Sequence, residues 1–337
     1  MSESQIGTEV GPPAKTLHRL AVLAVCLVWP LIWVGGLVTT YDAGMAVPDW
    51  PGTYGYNLFL YPLTTWVYGP FDLLIEHGHR LLGAVVGLVA IGIVVAAKVR
   101  EPRRWVLWLA VGILAAVISQ GLLGGMRVLL GDRTLAMIHG CFGPAVFSLC
   151  VVCAVVTSSI WSRAGSVPAE SLPQINRRWL VCSGAILAIS YLQLVLGAQL
   201  RHVQPTTPPG YFTLIVAIHV MTAFALWILT GLLYAGIRRC GDLTLSRPGG
   251  ALIGLVGVQI VLGTGTWVVN YGWPVFLRSL PGASGFLIQA KGFTESIIVT
   301  AHVATGSLIL AVATLTLLRM ARIRRCQSQT TLSANLG

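Results

Sequence analysis

Eight apolar runs, each about the length that crosses a bilayer, decide what this chain can fold into. They fall at roughly 20–40, 79–97, 105–126, 136–158, 179–200, 214–237, 249–270 and 295–318. In lipid the backbone must satisfy its own hydrogen bonds, and apolar runs of this length do so as helices. The expectation is an all-α integral membrane protein with eight transmembrane helices. Composition agrees, because 55% of the residues are hydrophobic and only 10% charged, against about 25% charged in a soluble domain. The first run follows Lys15 and Arg19 like a signal peptide. No small-residue cleavage site follows it, so it reads as a retained helix.

The net charge of +11 raises the question of a nucleic-acid partner. Its distribution answers no. With a cytoplasmic N-terminus, 16 of the 22 Lys and Arg fall on the inner side. The outer side keeps Arg80, Arg127, Arg133, Arg201, Arg278 and Lys291. That is the positive-inside bias of a multi-pass protein of the cell membrane, with both termini cytoplasmic. The seven cysteines read as small apolar fillers rather than as a disulfide framework or a zinc site.

A polar, proline-bearing stretch at 159–178 divides the spans into two sets of four. The division gives an N-terminal half, 1–168, and a C-terminal half, 169–337, expected as two pseudo-symmetric four-helix bundles. A local pattern supports duplication: Gln-x-x-x-Gly recurs at Gln120–Gly124, Gln193–Gly197 and Gln259–Gly263. Small residues at such positions let helices approach closely. The largest polar excursion, 40–75, carries YDAGMAVPDWPGTYGYNLFLYP, read either as an interfacial aromatic belt or as a lid over an outward-facing site.

The stretch EHGHRLLG, 76–83, sets a carboxylate, two imidazoles and a guanidinium at the mouth of the second span. Ionisable groups are costly in a membrane and mark functional sites there. His79, His139, His219 and His302 lie near the starts of the second, fourth, sixth and eighth spans, all on the outer side in this topology. Each has a small residue four positions on, namely Gly83, Gly143, Ala223 and Gly306. Residues at i and i+4 share a helix face, and a flat macrocycle held by an imidazole covers the next turn. The pattern suits two bis-histidine haem sites. Zinc is the weaker fit, since each imidazole comes from a different helix without cysteine or carboxylate partners. Glu76 precedes His79 by three residues, so it faces the same cavity and serves to orient an imidazole or move protons. His77 points to another face. In the second half the nearest acid, Glu295, lies seven residues before His302, which marks the first half as the reactive one.

These residues resemble the haem A synthase family. The resemblance rests on VGGLVTT in the first span, GMAVPDWP in the outer loop, Glu76-x-x-His79-Arg80, and the later His139, His219 and His302. It implies a haem-dependent oxidoreductase that oxidises one methyl group of haem O to a formyl group, giving haem A. It further implies that Glu76 is catalytic, that His79 and His139 serve the substrate haem, and that His219 and His302 ligate a haem b. The implied partners are haem O synthase, cytochrome oxidase assembly factors and an unnamed electron donor, in contact with membrane lipid; a homo-oligomer is compatible. Two other readings stay open: a di-haem b-type cytochrome taking electrons from quinol, and a haem transporter or chaperone. A prenyltransferase is disfavoured, since no Asp-x-x-x-Asp occurs for magnesium pyrophosphate.

Overall fold

The computed structural model describes residues 15–204, 206–279, 283, 286–289 and 292–334; Lys291, assigned above to the outer side, lies outside them. Ten α-helices occur among the described residues: α1 Lys15–Thr40, α2 Leu63–Val67, α3 Phe71–Arg100, α4 Arg104–Leu130, α5 Arg133–Val156, α6 Ser159–Ala164, α7 Arg177–Arg201, α8 Pro209–Arg238, α9 Leu243–Tyr271 and α10 Phe293–Ala334. All except α2 and α6 are long and apolar enough to cross a membrane. The protein is an all-α integral membrane protein.

The helices outrun the apolar runs. α3 begins eight residues early and α10 continues sixteen residues past the expected end. Hydropathy misses these turns because they carry Asp72, Glu76 and His77 at one end and Arg319, Arg322, Arg324 and Arg325 at the other. Proline immediately before α3 and inside the first turn of α8 suits a helix start, where its missing N–H costs nothing. Asp132, Asn176 and Asp242 each cap a helix by accepting from backbone amides one turn in. α4 stops at Gly131, whose φ of +61° favours a residue without Cβ.

α1, α3, α4 and α5 pack in a closed ring, each on its sequence neighbour, with α5 returning to α1. α7, α8, α9 and α10 close a second ring in the same order. The rings meet where α10 lies on α1 and α5, and α5 touches α7. Lipid is as apolar as leucine, so close backbone approach and interhelical hydrogen bonds must join them. Gly36 of α1 gives such an approach, since a Cβ there would lie 2.8 Å from Cγ2 of Thr300 on α10. Trp29 Nε1 donates to the Ala304 carbonyl at 3.1 Å across the same seam. At the other face, Arg324 and Gln327 of α10 donate to the carbonyls of Ile175 and Pro173, sealing the polar connector. Cys150 and Cys153, a C-x-x-C pair inside α5, are fully buried in the first ring's core and pack as small apolar side chains.

Candidate functional site

The four histidines come together in two pairs. His79 of α3 faces His139 of α5 across the first ring, with imidazole centroids 6.4 Å apart and planes at 80°. His219 of α8 faces His302 of α10 across the second, at 6.3 Å and 66°. Two imidazoles bound to one iron through bonds of about 2.0 Å, each nitrogen about 1.15 Å from its ring centre, put the centroids about 6.3 Å apart. Both pairs have that spacing. In every one of the four rings Nδ1 is buried, with the backbone of Leu31, Gln120 and Gln259 beside His79, His139 and His302, although the residue as a whole is only partly covered. The edge left open on each ring is therefore the one that carries Nε2. Among the described residues no three His, Cys, Asp or Glu side chains converge on a metal-sized point, so a closed zinc-type site has no donor set. The residues present fit bis-imidazole ligation of a planar group.

Each ring is seated on a glycine of the neighbouring helix. A Cβ at Gly35 would lie 2.9 Å from His79 Cε1, and one at Gly124 would lie 3.1 Å from His139 Cε1. Gly197 stands in the same relation to His219 at 3.6 Å, and Gly263 to His302 at 3.0 Å. Three of these glycines end the Gln-x-x-x-Gly pattern. The pattern's reason is thus more specific than helix approach: glycine admits the imidazole, and glutamine fixes the ligand's own backbone. Gln120 Nε2 donates to the His139 carbonyl at 3.0 Å, and Gln193 Nε2 to the His219 carbonyl at 2.7 Å. The fourth seat escaped the pattern because α1 has Leu31 where the others have glutamine.

The small residues at i+4 divide. A Cβ at Gly83 would meet nothing within 4 Å, as room for a macrocycle requires. At Gly143 and Gly306 it would meet the amide nitrogens of Gln120 and Gln259, at 3.1 and 3.2 Å. Those two glycines admit the glutamine instead. His79, His219 and His302 also sit two to three turns inside their helices rather than in the first two, because those helices start earlier than hydropathy indicates, while His139 stays within the first two turns of α5.

The outer loop is fastened to the first pair alone. Arg80, one residue after His79, donates to the carbonyls of Asp49, Gly52 and Val47 at 2.6, 2.9 and 2.7 Å. Its Nη2 also pairs with Glu76 Oε1 at 2.9 Å. Glu76 is fully buried, and its Oε2 accepts from the Val47 amide at 3.0 Å. His77 is buried with Nδ1 3.0 Å from the Thr53 hydroxyl, between the rings of Tyr61 and Trp66. It faces the loop, as expected, and not His139. The indole of Trp50 lies flat on Gly125, next to the seat of His139. Trp50, Tyr61 and Trp66 therefore pack inward as parts of a lid over the first pair, while Tyr54, Tyr56, Phe59 and Tyr68 stay exposed as an interfacial belt requires. Arg80 is an anchor of that lid. Arg201 reaches across the seam, donating to the Gly36 carbonyl and the Thr40 hydroxyl at 2.6 Å each.

Within the loop, Asp49 accepts from the amides of Tyr54 and Gly55, both in left-handed conformations, at 2.7 and 2.9 Å. Partial burial raises the Asp49 pKa, but these amides and the nearby Arg80 outweigh it and hold the value below 3.8. A depressed folded value means the stabilisation is complete above 3.8 and is lost as pH falls through the lower folded value. Pepsin cleavage within 42–62 is accordingly expected to stay slow at pH 4–5 and to accelerate below that. In Asp49→Asn it should be faster throughout and should lose this pH step.

A family model described as "Cytochrome oxidase assembly protein", COX15-CtaA, matches residues 18–208. The chain belongs to the COX15-CtaA family. The match holds Glu76, His79, His139 and the fastened loop, and ends just before α8, so the second pair stands on its geometry. Curated relatives are named heme A synthase. The protein from Symbiobacterium thermophilum is 27% identical over 56% of this chain and 58% of its own length. The one from Shouchella clausii is 27% identical over 59% and 64%, and that from Methylorubrum populi 30% identical over 49% and 43%. The matched part of this COX15-CtaA chain thus spans less than two thirds of each of these relatives.

Proposed function

We propose that this chain is a haem A synthase, oxidising a ring methyl group of haem O to a formyl group. The observation that carries the reading is the pair of imidazole sandwiches at iron-ligation spacing, only one of them under an anchored lid. Similarity to proteins named heme A synthase supports the same reading. In this assignment His79 and His139 hold the substrate haem O, and His219 and His302 hold a haem b that supplies one-electron chemistry. The two rings, joined along α1 and α10, form an N-terminal catalytic half and a C-terminal electron-relay half related by duplication; the four glycine seats support that relation. The histidines lie towards the outer side, with both termini cytoplasmic, on the charge distribution given above.

The chain's own residues divide the work. Gly35 and Gly124 let the first imidazoles close on the substrate ring, and Gln120 fixes the backbone of His139. The lid excludes water from the reacting methyl group. Glu76 is the catalytic carboxylate of this half, holding or moving a proton at an oxygen that otherwise accepts from Val47 or Arg80. The ion pair with Arg80 ties that chemistry to a closed lid.

Pigment extraction after expression, with and without a supply of haem O, tests the proposal. A formyl-bearing haem is expected only when haem O is supplied. Glu76→Ala is expected to keep its haem content while formyl-haem output falls at least about a hundredfold, in line with loss of a general acid–base group. Unchanged output in that variant would remove Glu76 from the chemistry, and no formyl-haem from the wild type would favour the di-haem electron-transfer cytochrome.

A further inference from the structure

At the face of the bundle opposite the histidines, α5 and α6 of the first half approach α9 and α10 of the second. They enclose a cavity of about 300 Å³. Arg163, Arg319 and Arg322 line it, with Asp242 as the one carboxylate on its wall. Asp242 is already engaged: its Oδ1 accepts from the amide and hydroxyl of Thr244, both at 2.6 Å, to cap α9. Two of the arginines are fixed rather than waving in solvent. Arg319 Nη1 donates to the Thr244 carbonyl at 2.7 Å. Arg322 stacks 5.2 Å from the centre of the Trp161 ring and reaches that residue's carbonyl with Nε. The exposed Arg163 forms no ion pair among the described residues. The remaining wall is largely apolar, with Val155, Leu172 and Ile323, and carries the hydroxyls of Ser158, Ser171 and Thr244.

Three guanidinium groups against one engaged carboxylate leave a positive surplus inside a concave site. A phosphate oxygen matches guanidinium donors in charge and geometry. The cavity lies beside Trp161 at the end of the bundle opposite the histidines, and its wall includes residues of α5 and α10, which meet at the seam between the halves. A ligand that fits both features has an anionic phosphate head and a hydrocarbon tail. We propose that this cavity binds the phosphate of an anionic phospholipid, whose acyl chain lies along the α5–α10 seam and helps hold the two halves together.

The test uses the full chain purified in a neutral detergent and examined by native mass spectrometry and thermal unfolding. Phosphatidylglycerol, phosphatidylcholine and inorganic phosphate are added in separate arms. The wild type is expected to retain one phosphatidylglycerol under conditions that strip other lipid, and to show a saturable rise in Tm with it. Phosphatidylcholine and inorganic phosphate should give neither. Each arginine removed should weaken retention about fivefold, in Arg163→Gln alone and further in Arg163→Gln combined with Arg322→Gln. Arg163→Gln removes no hydrogen bond of the side chain, so its lipid-free Tm should equal that of the wild type. Arg238→Gln, in a different cavity, should retain lipid normally. Equal retention in wild type and Arg163→Gln would overturn the proposal, as would equal retention of phosphatidylcholine. A Tm rise with inorganic phosphate alone would also overturn it, identifying a free anion as the ligand.

Discussion

Gly263→Val is expected to empty the proposed second haem site although all four histidines are still present in the chain. The seat of His302 has no slack, because even a single Cβ at Gly263 would come within 3.0 Å of Cε1. Valine adds two further methyl groups, and the ring must swing away from the axis it shares with His219. The 6.3 Å spacing of that pair then no longer brackets an iron. Haem per chain should fall by half, with loss of the corresponding low-spin spectrum, as in His302→Ala. Gly257→Ala on the same helix, where a Cβ meets nothing within 4 Å, should keep full haem content. Full content in Gly263→Val would show that the imidazole does not need its glycine seat, and the ligation geometry would fall with it.

Arg80→Met should abolish formyl-haem output, although its side chain reaches the loop and Glu76 rather than the imidazoles. The Arg80–Glu76 pair is nearly covered, with side-chain exposures of 10% and 2%. Removing one partner of a buried pair leaves the other charge uncompensated, at a cost of about 3–5 kcal/mol. The same change frees the carbonyls of Val47, Asp49 and Gly52 and releases the lid. Cleavage of the 42–62 segment by an added protease should rise at least about tenfold at neutral pH, while the second site keeps its haem. Glu76→Gln should be milder for the loop, because the amide oxygen still accepts from Val47, yet equally damaging to turnover. Intact lid protection in Arg80→Met would remove the anchor role. Normal turnover with an open lid would separate the loop from the chemistry.

The residues that bear chemistry were legible early, because burying them is costly and they stand out against hydrocarbon. His79, His139, His219 and His302 were found by spacing, as was the acid beside the first. Their pairing is what the family resemblance implies, and the same residues face each other across each ring. The glycine seats were only half legible. Gln120–Gly124, Gln193–Gly197 and Gln259–Gly263 were visible as a repeat, but a sequence does not say whether glycine admits a helix or an imidazole. Gly35 was hidden by Leu31. The role of Arg80 was missed entirely, since its acceptors are backbone carbonyls about thirty residues away and carry no sequence signature.

By itself the sequence determined that this chain crosses a membrane eight times as helices and concentrates its imidazoles near one end of alternate spans. Those features follow from local energetics: hydrocarbon length, backbone satisfaction and the cost of placing a polar group in lipid. Tertiary structure alone decided that each imidazole rests on a neighbour's glycine, and that one pair lies under an anchored loop. Such contacts join residues far apart in the chain through distances of a few ångströms, and no periodicity records them.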